Sequence, residues 1–438
     1  MKTSARAAAL EVLGRCRKDR AWSGMSLDSA IKQYELDWRD SALTTRLCLG
    51  VLQNSSYCDY IIDHFYHKSL EPVLRDILRL GVYQVLMMDK IPPHAAVSET
   101  VSLCRERGLD RAAGLVNAVL RRVVDAGDDL PAISDVGSGR YLATRYSHPL
   151  WLVERLLQER SYPFVEAFLR ANNESAPLTI QIDRIKVSDE DYARALERAE
   201  LPFRRFEGLP GCFELNGGRP TELPGFEEGL FYVQDRAARI AVAAADISSG
   251  MQVLDCCAAP GGKSFAAAID ARDQGSILSC DIHEKKLRLI RSGAERLGLT
   301  SIRTRAMDAR DFDAELAERF DVVLADVPCS AIGVIRKRPE IRWKKEAEID
   351  ALPQIQSAIL DNVCRYVAPG GVLLYSTCTV LRAEDEGQIA CFLERNADFA
   401  LEPFSVGEID APAGCRCFWP QTDGTDGFFV AKLRRKNA

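Results

Sequence analysis

At 438 residues the chain is long enough for about three domains of ordinary size. With 47% hydrophobic and 27% charged residues it has the make-up of a soluble globular protein, unlike a disordered or membrane one. A net charge of −6 excludes a chain coated in basic surface and leaves only local basic patches for nucleic-acid contact.

From Ser4 to about residue 126, apolar residues recur at helical spacing, as in ARAAALEVLGRC, EPVLRDILRLGVYQVL and AAGLVNAVLRRVV. The opening segment is amphipathic and interrupted by charge, unlike a signal peptide, and no apolar run reaches the ~18 residues of a membrane span. The expected location is therefore cytoplasmic, with no membrane partner. GDDLPAISDVGSG, 127–139, is rich in turn formers and closes an all-helical domain over 1–139. Residues 140–249 read as linker helices, WLVERLLQER and FVEAFLRANN, followed by a small α+β module in which LTIQIDR and GLFYVQD alternate like strands.

From 250 to 438 the pattern changes to strand, turn and helix in repetition: MQVLDCC, SILSCDI, IRTRAMD, FDVVLADV and VLLYSTC, with helical stretches between. This predicts a multidomain chain ending in an α/β, doubly wound, Rossmann-like parallel sheet, whose ligands gather at the C-terminal strand ends.

The first of these strands runs into Cys257-Ala258-Ala259-Pro260-Gly261-Gly262-Lys263. Its glycines permit a tight turn with close backbone approach, and the helix that follows offers N–H groups to a ligand. It matches neither a Walker loop nor G-x-G-x-x-G. The second strand ends at Asp281, placed for two ribose hydroxyls, and the third at Asp308, placed for a purine amine. The ordered set suits a nucleoside ligand without phosphates, such as S-adenosylmethionine.

Fourteen cysteines follow no disulfide framework and are expected to be reduced. Cys256 and Cys257, and Cys415 and Cys417, lack metal-site spacing; His64 and His67 stand i, i+3 on what reads as a helix surface, so no metal is expected. Cys16, Cys48, Cys104, Cys364 and Cys391 read as small buried hydrophobes, and Cys256 as structural. Two thiols differ: Cys329 in ADVPCSAIG and Cys378 in YSTCT, each at the end of a predicted strand.

DCCAAPGGKS, DVPCSAIGVIRKRPEIRW and STCT together resemble the RNA cytosine-C5 methyltransferases, over about residues 253–434 and closest to bacterial members that act on small-subunit ribosomal RNA. The N-terminal helices, VNAVLRR above all, resemble the NusB family. The resemblance implies an S-adenosylmethionine-dependent enzyme methylating C5 of a cytosine in 16S ribosomal RNA, working as a monomer. C5 of cytosine is too weak a nucleophile to take the methyl group unaided, and a thiolate adding at C6 converts the ring into an enamine. By resemblance Cys378 attacks, Asp326 grips N3, and Cys329 assists proton removal or product release. Spacing alone leaves open which thiol attacks; the STCT motif favours Cys378. The run RKRPEIRWKK supplies Arg336, Lys337, Arg338, Arg342 and Trp343 as candidate RNA contacts, by phosphate pairing and base stacking. The alternatives are the same chemistry on transfer RNA, or a non-catalytic antitermination-like RNA-binding factor on a methyltransferase scaffold.

Overall fold

The computed structural model describes residues 4–19 and 21–437. The chain forms two compact units: one holds the sequence up to Glu174 plus Ile335–Glu346, the other Ser175–Val334 plus Ala347 onward.

The first unit is helical. Its helices follow the apolar periodicity: in Asp110–Ala126 the buried Ala113, Val116, Leu120 and Val123 form a stripe spaced by three and four residues. Cys16, Cys48 and Cys104 lie fully buried in its core. The expected division at 139/140 is not where the units separate. Helix Gly139–Arg145, capped by Ser138 Oγ accepting from Tyr141 N at 3.0 Å, packs beside Ser55–Phe65. There Tyr57 N donates to Ser147 Oγ at 3.1 Å and the Arg145 guanidinium lies 5.2 Å from the Tyr57 ring. Helices Leu150–Glu159 and Tyr162–Ala171 stay with this unit too.

The second unit begins with a four-stranded antiparallel sheet of β1 (Leu178–Ile182), β2 (Phe203–Arg205), β3 (Cys212–Leu215) and β4 (Phe231–Val233), in the order β2-β3-β1-β4. Helix Asp189–Arg198 buries Tyr192 and Leu196 against Ile180, Phe213 and Phe231. Then come β5 (Gln252–Asp255), β6 (Ser276–Asp281), β7 (Ile302–Ala306), β8 (Phe320–Asp326) and β9 (Val367–Thr377), all parallel, in the order β9-β8-β5-β6-β7.

The sheet is mixed, not wholly parallel. After β10 (Phe399–Leu401), a hairpin of β11 (Phe404–Val406) and β12 (Ile409–Ala411), and β13 (Cys415–Phe418), strand β14 (Phe428–Arg435) joins antiparallel to β9, with β10 and β13 on its other edge. One face buries helices Arg236–Ala244, Gly262–Asp270 and Glu284–Leu297, and the other Leu352–Val363 and Glu386–Arg395. The doubly wound expectation holds. The order turns at β5, between β6 and β8, which is where such sheets open a crevice.

Candidate active site

The glycine turn lies at that switch point. Gly261 has φ +118°, in the left-handed region, and a Cβ there would meet the Phe265 ring at 2.6 Å, so the loop hugs its own helix as only glycine allows. Ala258 N donates to Cys280 O at 2.7 Å and ties the loop to β6. Beneath it Ser279 Oγ donates to Ser264 Oγ and Ser264 Oγ to Asp255 Oδ2, both at 2.7 Å. Asp255 is fully buried, and burial pushes its carboxyl up to about 7 against the opposing pull of Ser264 and Lys263. Asp281 ends β6, buried, with Oδ1 accepting from His283 N at 2.9 Å. Asp308, two residues past β7, is gripped by Arg310, whose Nε lies 2.9 Å from Oδ1, and this ion pair holds its carboxyl low. A bare left-handed turn, an open helix N-terminus and an acid on the next strand suit a nucleoside cofactor.

Lys263 does not simply line that loop. Its ammonium lies 2.7 Å from Asp326 Oδ2 and 5.1 Å from the Phe428 ring. Burial alone would lower its pKa; Asp326, Asp255 and Cys378 together outweigh burial and raise it. Ser376 Oγ donates to Asp326 Oδ1 at 2.8 Å. The acid of the Asp-Val-Pro-Cys motif is thus held from both sides, by a lysine in the first turn of helix Gly262–Asp270 and a serine on β9. No local sequence signal links Lys263 to Asp326; only the β5–β8 adjacency does.

The two thiols meet. Cys329 Sγ and Cys378 Sγ are 3.2 Å apart, and Cys378 N donates to Cys329 Sγ at 3.3 Å. Both are partly accessible. The hydrogen bond with Cys378, then burial, then the Glu384 carboxylate hold the Cys329 thiol well above the ordinary thiol range. Gly333 N donates to Cys378 O at 3.0 Å, and a Cβ on Gly333 would lie 1.8 Å from the Gly427 carbonyl, so the segment after Cys329 packs backbone to backbone.

The basic run divides. Arg336 and Arg342 are buried, contrary to their assignment as RNA contacts. Arg342 Nη2 donates to Asn172 O at 3.2 Å and to Asn173 Oδ1, beside the buried His148, so its charge serves the packing of Ile335–Glu346 into the helical unit. Glu340 anchors the same segment, accepting from Ser23 Oγ at 2.7 Å. Arg338 and Trp343 stay exposed, Arg338 lying 4.8 Å over the Trp22 ring, and Lys337 is half-buried. Cys391 is exposed, not a core hydrophobe, because it lies on the outer side of helix Glu386–Arg395. Cys364 and Cys256 are buried. His67 lies beyond the end of helix Ser55–Phe65, so it shares no helix face with His64.

Family models match three stretches: the 16S rRNA methyltransferase RsmB/F family over residues 243–434, the NusB family over 3–125, and the RsmF/B-like ferredoxin-like domain over 148–222. The chain is 35% identical to a probable ribosomal RNA small subunit methyltransferase B of Bacillus subtilis (strain 168), covering 99% of each. It is 34% identical to the ribosomal RNA small subunit methyltransferase B of Enterobacter sp. (strain 638), over 94% of this chain and 95% of that one. The crystal structure of PH0851 superposes with a TM-score of 0.83 at 25% identity, covering 99% of both chains. With its glycine loop, its Asp-Val-Pro-Cys and Ser-Thr-Cys motifs and full-length relatives of one kind, the chain belongs to the RsmB/F family of 16S rRNA methyltransferases.

Proposed function

We propose that the protein methylates C5 of one cytosine in 16S ribosomal RNA through a transient Cys378–C6 bond. The observation that carries this reading is the 3.2 Å contact between Cys329 and Cys378 beside an Asp326 held by Lys263 and Ser376. S-adenosylmethionine, held by Cys257–Lys263, Asp281 and Asp308, supplies the methyl group.

The residues divide the work as follows. Asp326, oriented by its two partners, hydrogen-bonds the N3 side of a flipped-out cytosine and steadies the charge that builds there. The Cys378 thiolate adds to C6, and the electron pair released into the ring makes C5 nucleophilic. After methylation a base takes the C5 proton, the C5–C6 double bond re-forms and the Cys378–C6 bond breaks, returning the electron pair to sulfur. Cys329, whose sulfur lies 3.2 Å from that of Cys378, is placed to assist this second half by giving its proton to the departing sulfur. Arg338, Lys337 and Trp343 are the remaining members of the basic run placed to meet RNA.

The test uses full-length protein, 16S RNA and radiolabelled S-adenosylmethionine. Cys378→Ala should transfer no methyl group and form no adduct that survives denaturation; Cys329→Ala should accumulate that adduct. An adduct in Cys378→Ala and none in Cys329→Ala would exchange the two roles. Unchanged 5-methylcytosine in 16S RNA from cells lacking the protein would reject the substrate.

A further inference from the structure

We propose that Glu384 and Gln356 form a clamp that positions Cys329 for product release, a role that rests on the assignment of Cys329 to that step.

The clamp grips the backbone on both sides of the cysteine. Glu384 Oε2 accepts from Ser330 N, the residue after Cys329, at 2.8 Å. Gln356 Nε2 donates to Pro328 O, the residue before Cys329, at 3.0 Å. The two gripping side chains hold each other, Gln356 Nε2 donating to Glu384 Oε2 at 2.8 Å. Both are buried, at 1% and 0% exposure, where water cannot replace a lost partner. Glu384 is itself fixed: Tyr375 OH, from β9, donates to its carbonyl at 2.6 Å. A second tie runs beside the first, Ser330 Oγ lying 2.7 Å from Thr379 Oγ1, the residue after Cys378.

Pro328, Cys329 and Ser330 lie beyond the end of β8. The clamp holds them from helix Leu352–Val363 and from the turn before helix Glu386–Arg395. Its position also gives Glu384 an electrostatic effect, since its carboxylate disfavours a Cys329 thiolate. The clamp thus holds the backbone on both sides of Cys329 while its sulfur lies 3.2 Å from that of Cys378.

The experiment compares Gln356→Ala, Glu384→Ala and Glu384→Gln with Cys329→Ala in the full-length enzyme. One arm follows single-turnover methyl transfer and, separately, decay of the protein–RNA adduct. Gln356→Ala and Glu384→Ala should slow release at least tenfold more than methyl transfer, and Glu384→Gln, which keeps an acceptor for both donors, should recover most of the loss. Equal slowing of both steps, or no rescue by Gln, overturns the clamp. The other arm needs no RNA: diamide takes two electrons and two protons from a pair of thiols, and the Cys329–Cys378 disulfide is mapped by mass spectrometry. Clamp variants should form it at least fivefold more slowly than wild type, and an unchanged rate overturns the clamp even if a variant is catalytically impaired. If Cys329→Ala releases product normally while the disulfide arm slows as expected, the assignment of Cys329 to release fails and the proposed role with it, whereas the positioning geometry stands. If Cys329→Ala accumulates adduct and the clamp variants do not, the clamp alone fails.

Discussion

Asp255→Asn tests whether the floor of the cofactor loop holds a neutral acid. Asp255 has no exposed surface, and burial raises its carboxyl from 3.8 to about 7. A rise of about three pH units, at about 1.4 kcal/mol each, sets roughly 4 kcal/mol against the charged form. Between about pH 4 and pH 7 the native state binds more protons than the unfolded one, so stability falls as pH rises through that window and levels off above it. Asn has the same shape and cannot ionise. Its oxygen can still accept from Ser264, but its amide donors enter the place of Oδ1, which meets no hydrogen-bond partner among the described residues, a cost of about 1–3 kcal/mol. The variant should therefore be less stable than wild type near pH 3 by about that cost, and more stable near pH 8 by roughly 1–3 kcal/mol. Urea-induced hydrogen exchange of the β5 and β6 amides, read by mass spectrometry across that pH range, measures the difference where it arises. A difference between variant and wild type that stays constant with pH would refute a neutral Asp255.

Lys263→Met removes one side of the Asp326 ion pair. Because Asp326 keeps Ser376 and about a third of its side chain is exposed (32%), the stability loss should be about 2 kcal/mol, below the usual cost of breaking a fully buried pair. Single-turnover methylation should slow about a hundredfold, near 3 kcal/mol of barrier, as Asp326 loses its orientation; a rate within threefold of wild type sinks the role. The basic run makes a paired prediction. Arg338→Ala should lower the slope of log affinity for RNA against log salt by about one, whereas Arg342→Met should leave the slope alone and destabilise the helical unit by about 2–3 kcal/mol in urea.

The central parallel strands β5, β6, β8 and β9 were legible because each carries a short apolar run, and burial on both faces requires that composition. Strand β14 was not, since FFVAKLRR reads as a charged tail. Its Lys432 is buried only because Asp246 and Glu402 meet its ammonium at 2.6 and 2.9 Å, partners supplied by the fold and not by neighbouring sequence. The basic run failed for the same reason in reverse. Charge predicts a solvated face until a segment finds a polar cleft, and Ile335–Glu346 finds one lined by Asn172, Asn173 and His148. Short, late or long-range features escape a local reading; motif residues at strand ends do not.

The meeting of the two thiols shows how much topology adds to motif. Cys329 and Cys378 are 49 residues apart, and their spacing carries no sign that they touch. The sheet order makes β8 and β9 neighbours, about 4.8 Å apart, in parallel register with Asp326 opposite Ser376. From that pair each chain needs only two or three residues to reach its cysteine, so both thiols emerge from the same sheet end on adjacent strands. The same register brings Ser376 Oγ onto the Asp326 carboxylate. A slip of one residue between β8 and β9 would reverse which face each side chain takes, separating acid from serine and thiol from thiol together. The acid and the two sulfurs to which the proposed mechanism assigns its steps therefore depend on one strand pairing.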